Sequence, residues 1–300
     1  MARITTRRFA VVGAPSGLGL GAAEVEELGE ALLEHGLARS LAARIATTIA
    51  PPRASGVRDP ASGVLNGPEV ASYAVSLADA VGVVLDAGDV PLVLGGDCSV
   101  LLGGALALRR RGGAGLLFLD GHADFYQPSA EPSGEAASMD LALATGHGPP
   151  AVGDLEGRSP LVRAEDAVVL GFRDAEEQDR DGSQPLPGAL LALDLAAVRA
   201  AGASAAAQRA VAHLTRPDAP GQFWVHVDAD VLDDAVMPAV DYRQPGGLTP
   251  DELASILAAA IATERVAGVE VTIYNPTLDA DGTAGAALTR VLARGLGAAP

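Results

Sequence analysis

The sequence predicts an α/β fold in which a mostly parallel central sheet is covered by helices on both faces. Two observations support this prediction: short apolar runs recur along the 300 residues, and helical patterns lie between several of them. Chains in which strands alternate with helices form parallel sheets that are buried on both sides. The functional side chains of such proteins lie beyond the carboxyl ends of the strands, so the chemistry of this chain is expected there.

Six apolar runs are predicted to be strands, because they are short, aliphatic or aromatic, and bounded by residues that favour turns. They span residues 9–13, 91–95, 115–119, 167–171, 223–227 and 266–274.

Helices and loops are predicted between these runs. Apolar residues three or four apart indicate one helix, at Val70, Tyr73, Leu77, Val81 and Val84. A second helix begins with Thr249 as N-cap and Glu252 closing a capping box. Segments 51–68 and 126–150 are rich in Pro, Gly, Ser and Ala and are predicted to be loops. Since neither is an interdomain linker and no repeat is present, we expect one domain over residues 1–300.

Charge and composition exclude several classes of partner. The formal net charge is −17, which repels the phosphates of nucleic acids and anionic membrane surfaces. A single cysteine excludes an internal disulfide framework. No uninterrupted apolar run approaches the roughly 20 residues that cross a bilayer. We therefore expect a cytoplasmic protein that acts on a small molecule and has no nucleic-acid or membrane partner.

Two predicted strands lead directly into clusters of aspartate and histidine. The clusters are Asp120, His122 and Asp124 in LLFLDGHADF, and His226, Asp228 and Asp230 in FWVHVDADVLDD. Residues two apart in an extended segment point to the same side, so each cluster converges on one face. Carboxylates beside apolar strands are costly unless a cation neutralises them. Solvated turn residues would explain one such cluster, but two clusters predict two divalent ions with bridging carboxylates.

Three motifs make the chain similar to a known enzyme family. GGDCS at 95–99, DGHAD at 120–124 and HVDADVLD at 226–233 resemble the metal motifs of the ureohydrolases, the family of arginases, agmatinases and formimidoylglutamases. The resemblance implies a three-layer α/β/α, arginase-like fold and a homo-oligomer, trimer or hexamer. It also implies a binuclear manganese centre whose bridging hydroxide attacks the carbon of a linear amidine or guanidine and breaks a C–N bond.

The resemblance further implies a ligand set, namely Cys98, Asp120, His122, Asp124, Asp228 and Asp230. Of these, Asp120 and Asp228 would bridge the two ions. His122 and Asp230 would complete one ion, and Cys98 and Asp124 the other. Asp124 would also carry a proton from the hydroxide to the leaving nitrogen.

The sequence departs from the family pattern near the metals. Cys98 stands where the family has histidine, and a thiolate favours a softer ion, such as zinc or iron, over manganese. Asp97 beside it is expected to be a turn residue or to support the ligands. Ile273 replaces the glutamate that would pair with a guanidinium, which puts a simple arginine substrate in doubt. Glu270 lies three residues earlier, and this odd spacing turns it to the other face unless a bulge intervenes.

The substrate loop departs as well. Ala137 replaces the family's loop histidine, and His147 is a candidate to supply the missing imidazole, with an ordinary surface histidine as the alternative. The candidate substrate-binding residues are Tyr126, Ser133, Glu135 and Glu176. Glu176 matches a position that meets the substrate's α-amino group in arginases, which favours an amino-acid-like substrate. Its alternative is a solvated carboxylate at a helix start.

His226 is a candidate catalytic residue at a place where the family usually has serine. It shares a side with Asp228 and Asp230, so we consider an extra metal ligand or a proton relay, against a histidine that only supports the ligands.

The leading hypothesis is therefore a metal-dependent hydrolase acting on an arginine-like or modified guanidine. The changes at Cys98, Ala137 and Ile273 leave two alternatives: a non-catalytic binding or assembly protein, and a deacetylase-type amidohydrolase that needs no guanidinium-binding glutamate.

Overall fold

A single eight-stranded parallel sheet forms the centre of the computed structural model, which describes residues 8–21 and 24–297. The strand order is β2-β1-β3-β8-β7-β4-β5-β6, and every paired strand is parallel to its neighbour. The strands are β1 Phe9–Ala14, β2 Arg44–Thr48, β3 Val90–Gly95, β4 Gly115–Leu119, β5 Ala167–Leu170, β6 Leu191–Leu193, β7 Phe223–Asp228 and β8 Val266–Thr272.

Helices cover the sheet on both faces, and each face has its own apolar core. One core joins the sheet to α1, α9, α10 and α11, and the other joins it to α3, α4 and α5. The helices are α1 Leu28–Glu34, α2 Leu37–Ser40, α3 Gly67–Asp86, α4 Leu101–Arg109, α5 Asp140–Ala144, α6 Pro150–Gly153, α7 Ala175–Asp181, α8 Leu195–Ala201, α9 Ala203–Leu214, α10 Pro250–Ile261 and α11 Thr283–Leu296. The three-layer α/β/α prediction is confirmed.

The sequence pattern found the interior strands and missed the edges. All six predicted strands are present, whereas β2 and β6, the two edge strands, were not predicted. Strand β2 is only partly buried and β6 has only three residues, so neither contains a continuous buried apolar run. The last strand ends at Thr272 rather than Tyr274, because the backbone of Ile273 turns to a φ of 72°.

The predicted helix features are also present. Thr249 and Glu252 form the capping box at the start of α10, with both reciprocal hydrogen bonds. The segment 126–150, predicted as a loop, contains the short helix α5 and the first residue of α6. This difference matters, because α5 brings a buried aspartate, Asp140, to the site described below.

Helix α3 is long and apolar enough to cross a membrane by length and composition alone. One face of it is packed in the core, where Val70, Leu77 and Val81 are buried against the sheet and α4. The hydroxyl of Tyr73 on the same face donates to the carbonyl oxygen of Ile49 at 2.7 Å. These contacts are those of an amphipathic core helix.

Four adjacent strands bring the predicted metal motifs together. Strands β3, β8, β7 and β4 are neighbours in that order and all are parallel, so their carboxyl ends meet at one edge of the sheet. The segments that follow β3, β4 and β7 are those that carry GGDCS, DGHAD and HVDAD.

Packing in the first half of β7 and β8 leaves no room for a side chain at one glycine. Gly268 of β8 lies opposite Trp224 of β7, and a Cβ at 268 would overlap the indole ring. We expect Gly268→Ala to lower the free energy of unfolding by about 1–3 kcal/mol, because the overpacked core must shift. Urea denaturation followed by circular dichroism measures the change.

The matched control is Gly188→Ala, since a Cβ there meets no atom within 4 Å. This variant should stay within about 0.5 kcal/mol of the parent chain. Equal effects of the two substitutions would show that the Trp224 contact does not govern packing in this part of the sheet.

Candidate metal centre

The turn after β3 is built around Asp97, which is fully buried. Its carboxylate accepts hydrogen bonds from the backbone N–H of Ser99 at 2.8 Å, the N–H of Gly19 at 3.1 Å and the hydroxyl of Ser16 at 3.2 Å. Burial raises the pKa of Asp97, and these hydrogen bonds oppose that shift. Asp97 is therefore the N-cap of the turn that positions Cys98, which confirms its predicted place in a turn.

Cys98 is a free, buried thiol that lies beside the carboxyl ends of β7 and β8. Its Sγ donates to Oδ2 of Asp228 at 2.9 Å, and Oγ1 of Thr272 lies 3.4 Å away. Burial raises the pKa of Cys98, and the negative charges of Asp228 and Asp140 raise it further. Without a cation the thiol stays protonated, whereas a coordinated metal would deprotonate it.

The DGHAD segment turns three side chains toward the same edge. Oδ1 of Asp120 accepts from the backbone N–H of His122 at 2.7 Å, and Nδ1 of His122 lies 2.9 Å from Oδ2 of Asp230. Asp124 has a φ of 45°, an uncommon conformation for a residue other than glycine. The predicted convergence of this cluster with Asp228 and Asp230 is present in the structure.

The HVDAD segment is fixed by its own backbone. Oδ1 of Asp228 accepts from the N–H of Asp230 at 2.7 Å, and Oδ1 of Asp230 accepts from the N–H of Gly121 at 2.9 Å. These two bonds tie the end of β7 to the end of β4. Each carboxylate keeps its second oxygen directed to the site.

His226 lies beneath these carboxylates and is fully buried. Its Nδ1 is 2.8 Å from Oε1 of Glu270, and its Nε2 is 3.7 Å from Oδ2 of Asp120. The imidazole stacks on the ring of Phe118 with centroids 4.4 Å apart. Glu270 is buried with His226 rather than facing a substrate, as the odd spacing from Ile273 predicts.

The site concentrates negative charge where water cannot solvate it. Burial and neighbouring carboxylates raise the pKa of Asp124, Asp140 and Asp228 well above the usual range. Asp120 behaves differently: burial opposes its ionisation, but the nearby imidazoles of His122 and His226, each 3.7 Å from a carboxylate oxygen, outweigh burial and lower its pKa. Such a cluster is stabilised by a bound cation.

Among the residues that the structure describes, three groups of ligand atoms lie close enough to hold ions, with all atoms of each group within 4.8 Å of one another. The groups are Cys98, Asp120, His226 and Asp228; Asp120, His122 and Asp230; and Cys98, Asp124 and Asp140. Oδ2 of Asp120 and Nε2 of His226 are buried without a hydrogen-bond partner. Orphaned atoms of this kind are what metal ligation would satisfy, so the residues fit a pair of metal ions.

Asp140 was missed by the sequence reasoning. It occupies the first position of α5 and is fully buried. The available signal was a single aspartate in the otherwise apolar run MDLALA, which a loop prediction for 126–150 obscured.

A cavity of about 380 Å³ opens above the ligands. Its floor contains Cys98, His122, Asp124, Asp228 and Asp230, and Ile273 lines it as well. Acidic residues dominate the wall, namely Glu131, Glu135, Asp174, Glu177, Asp181 and Asp241.

Two of the candidate substrate-binding residues line this cavity, Tyr126 and Glu135. Glu135 is held in place, since Oε1 accepts from the N–H of Gly21 at 2.8 Å and Oε2 accepts from the hydroxyl of Tyr242 at 2.7 Å. Ala137, in the place of the family's loop histidine, lines the cavity with an apolar methyl group.

Three other candidates do not line the cavity. Ser133 is exposed and donates to Oε2 of Glu131 at 2.7 Å. His147 is exposed, with Nδ1 at 3.1 Å from the hydroxyl of Thr145, so it does not supply the missing imidazole.

Glu176 is the third of these residues, and it is exposed in the first turn of α7. Its neighbours Asp174 and Glu177 face the cavity instead, because residues three apart share one side of a helix. Glu176 therefore gives no support for an amino-acid-like substrate.

Similarity to known proteins extends over nearly the whole chain. The model of the Arginase family matches residues 9–296. An arginase of Brevibacillus brevis is 28% identical over 70% of each chain, and an N(omega)-hydroxy-L-arginine amidinohydrolase of Streptomyces lavendulae is 29% identical over 71% of each. The solved arginase of Bacillus caldovelox shares the fold, with a TM-score of 0.85 and 24% identity over 98% of this chain and 99% of its own.

The hydrogen bonds of Asp97 predict that removing its carboxylate lowers the free energy of unfolding. Asp97→Ala leaves the buried N–H groups of Gly19 and Ser99 without acceptors, which costs about 1–3 kcal/mol of unfolding free energy for each group. Chemical denaturation should show this loss. Asp194→Ala is the control, since Asp194 also caps a turn of helix, α8, but far from the cluster, and its loss should cost only about 1 kcal/mol. A loss at Asp97 no larger than at Asp194 would contradict this account.

Proposed function

Because the chain belongs to the arginase family, we propose that it is a metal-dependent hydrolase that cleaves a C–N bond of a linear guanidine or amidine. The observation that carries the proposal is the pair of ligand groups that share Asp120 at the floor of an acidic cavity. Family membership supports a hydrolase that acts on guanidino substrates. A cytoplasmic location and a trimeric or hexameric assembly belong to the proposal as family expectations.

Two divalent ions complete the proposed site. When bound, such a pair lowers the pKa of a water molecule, so that the water can attack at neutral pH. Asp120, His122 and Asp230 offer oxygen and nitrogen atoms, which suit manganese. Cys98 and Asp228, whose ligand atoms lie within 4.8 Å of those of Asp120, would hold the second ion.

Asp124 is the residue proposed to move the proton. It lines the cavity together with His122 and Asp230, so its carboxylate is open to a bound substrate. Water adds its oxygen to the guanidine carbon and gives one proton to Asp124. The C–N bond then breaks, and Asp124 returns that proton to the leaving nitrogen, which yields an amine and urea or its substituted form.

His226 does not take part in that transfer. It is fully buried and does not line the cavity, so it cannot reach a substrate nitrogen. Its burial supports a role through the metals, as an extra ligand or as a support of the ligands.

The cavity wall supports a substrate with a cationic end. Among the described residues that line it, Arg243 is the single arginine, and its guanidinium is already paired with Asp234 at 2.5 and 2.9 Å. Glu177 and Asp181 share one cation, Arg180, at 3.4 and 3.2 Å, so carboxylates remain in excess along this wall and would attract an amino group.

The reacting end of the substrate meets a less polar surface. Ile273 lines the cavity beside the ligands and offers no carboxylate to a guanidinium. A guanidine made less basic by a hydroxyl group loses less from this change than arginine does. One relative bears the name N(omega)-hydroxy-L-arginine amidinohydrolase, which supports a modified arginine as the first substrate to test.

The proposed hydrolase activity predicts turnover of a guanidine. The purified chain, loaded with Mn²⁺, should release urea or hydroxyurea from at least one member of a panel of arginine, hydroxyarginine, agmatine and guanidinobutyrate. Asp230→Asn should lower kcat by about 10³-fold or more, because it weakens the ligand set of the ion assigned to Asp120, His122 and Asp230. Colorimetric urea or hydroxyurea assays and amine detection measure both.

The control for that experiment is His147→Gln, which should keep full activity because His147 lies outside the cavity. Two bound ions without turnover of any guanidine would reject the proposal and favour a non-catalytic binding protein. Acetate release from acetylated polyamines would favour the deacetylase-type reaction instead.

The acidic wall of the cavity can be tested with two neighbouring residues, Glu177 and Glu176. Glu177→Gln should raise KM for a substrate with a cationic end about two- to fivefold and leave kcat unchanged, since one screened attraction is lost. Glu176→Gln should leave both constants unchanged, because Glu176 does not line the cavity. Steady-state kinetics at low ionic strength test the pair, and equal effects would show that the wall does not attract the substrate.

A further inference from the structure

We propose that the inner ion is held by Cys98, Asp120, His226 and Asp228, and that this ligand set selects a zinc-like ion while the outer ion remains manganese-like. The outer ion is the one assigned above to Asp120, His122 and Asp230. This inference deepens the proposed function by naming the ligands and metal class of one of its two sites.

The first observation is the unsatisfied nitrogen of His226. Its Nε2 is buried without a hydrogen-bond partner and lies 3.7 Å from the equally unpartnered Oδ2 of Asp120. Ligand atoms around a tetrahedral zinc ion lie about 3.3–3.8 Å apart, as its bond lengths require. The two orphaned atoms are thus already at the spacing of two ligands of one ion.

The second observation is the buried thiol of Cys98. Sγ of Cys98 is buried, contacts Oδ2 of Asp228 at 2.9 Å, and lies within 4.8 Å of the ligand atoms of His226 and Asp120. An ion that replaces the thiol proton would move Sγ and Oδ2 apart to the separation of two ligands. The site then has one sulfur, one nitrogen and two oxygen donors.

The third observation is the orientation of the imidazole. Oε1 of Glu270 lies 2.8 Å from Nδ1 of His226, so the carboxylate accepts the Nδ1 proton and leaves Nε2 free for a metal. The stacked ring of Phe118 prevents the imidazole from rotating. A carboxylate behind a ligating histidine is the usual support of a metal site.

The donor set also decides the class of metal. Thiolate and imidazole favour zinc over manganese, which prefers oxygen. Asp124 is not in this group, since its ligand atom lies with those of Cys98 and Asp140. It therefore remains free for the proton transfer described above.

The test uses metal alone, without substrate. The metal-free chain is loaded with Co²⁺, and its spectrum should show a thiolate-to-cobalt charge-transfer band together with the visible bands of a tetrahedral ion. Cys98→Ser should abolish the charge-transfer band. His226→Gln should keep that band, change the visible bands, and weaken inner-site binding; Glu270→Gln should weaken it about 10–100-fold.

His213→Gln is the matched control, because His213 is outside the ligand groups and its imidazole contacts the carbonyl oxygen of Glu165 at an exposed position. Should a variant fail to fold, X-ray absorption at the zinc edge of the parent chain tests the same ligands and should show sulfur and imidazole neighbours. Competition between Zn²⁺ and Mn²⁺ should place zinc in the inner site, and Cys98→His should weaken that preference.

The proposal is overturned if His226→Gln leaves the cobalt spectrum and affinity unchanged, or if no sulfur neighbour is found. Its failure can be distinguished from that of the proposed function. The predicted spectra without hydrolysis of any guanidine would reject only the function, whereas hydrolysis with an unchanged His226→Gln spectrum would reject only the inner ligand set.

Discussion

The whole site depends on one constraint, which is that several carboxylates are held together where almost no water reaches them. Asp120, Asp140 and Asp228 are essentially buried, and their mutual repulsion keeps a proton on some of them unless cations are present. Parallel strands impose this crowding, because β3, β8, β7 and β4 end at one edge of the sheet. The fold therefore creates both a strong demand for cations and the ligands that meet it.

Much of the fold and of the ligand set could be predicted because the signals are local. Alternation along an extended segment places Asp120 and His122, or Asp228 and Asp230, on one side without knowledge of the remaining chain. The buried strands reveal themselves by continuous apolar residues. The edge strands β2 and β6 lack that signal, because solvent covers part of their surface.

The remaining features depend on contacts between distant segments, which a single sequence does not specify. Glu270 meets His226 because β7 and β8 pair in a register that aligns these two residues. Asp140 reaches the site because α5 packs against α4, and the N–H of Ala142 donates to the carbonyl oxygen of Asp124 at 3.3 Å. The phase of α7 turns Glu176 away from the cavity and Glu177 toward it, and a helix boundary shifted by one residue would reverse that assignment.

The packing of Trp224 has a spectroscopic consequence. The chain contains a single tryptophan, and it lies two residues before His226 on the same face of β7, buried between Gly104 and Gly268. Its fluorescence therefore comes from one rigid indole close to the inner ligands. Co²⁺ entering that site would quench this emission, whereas colourless Zn²⁺ would leave it bright, so the protein carries its own optical reporter of metal identity.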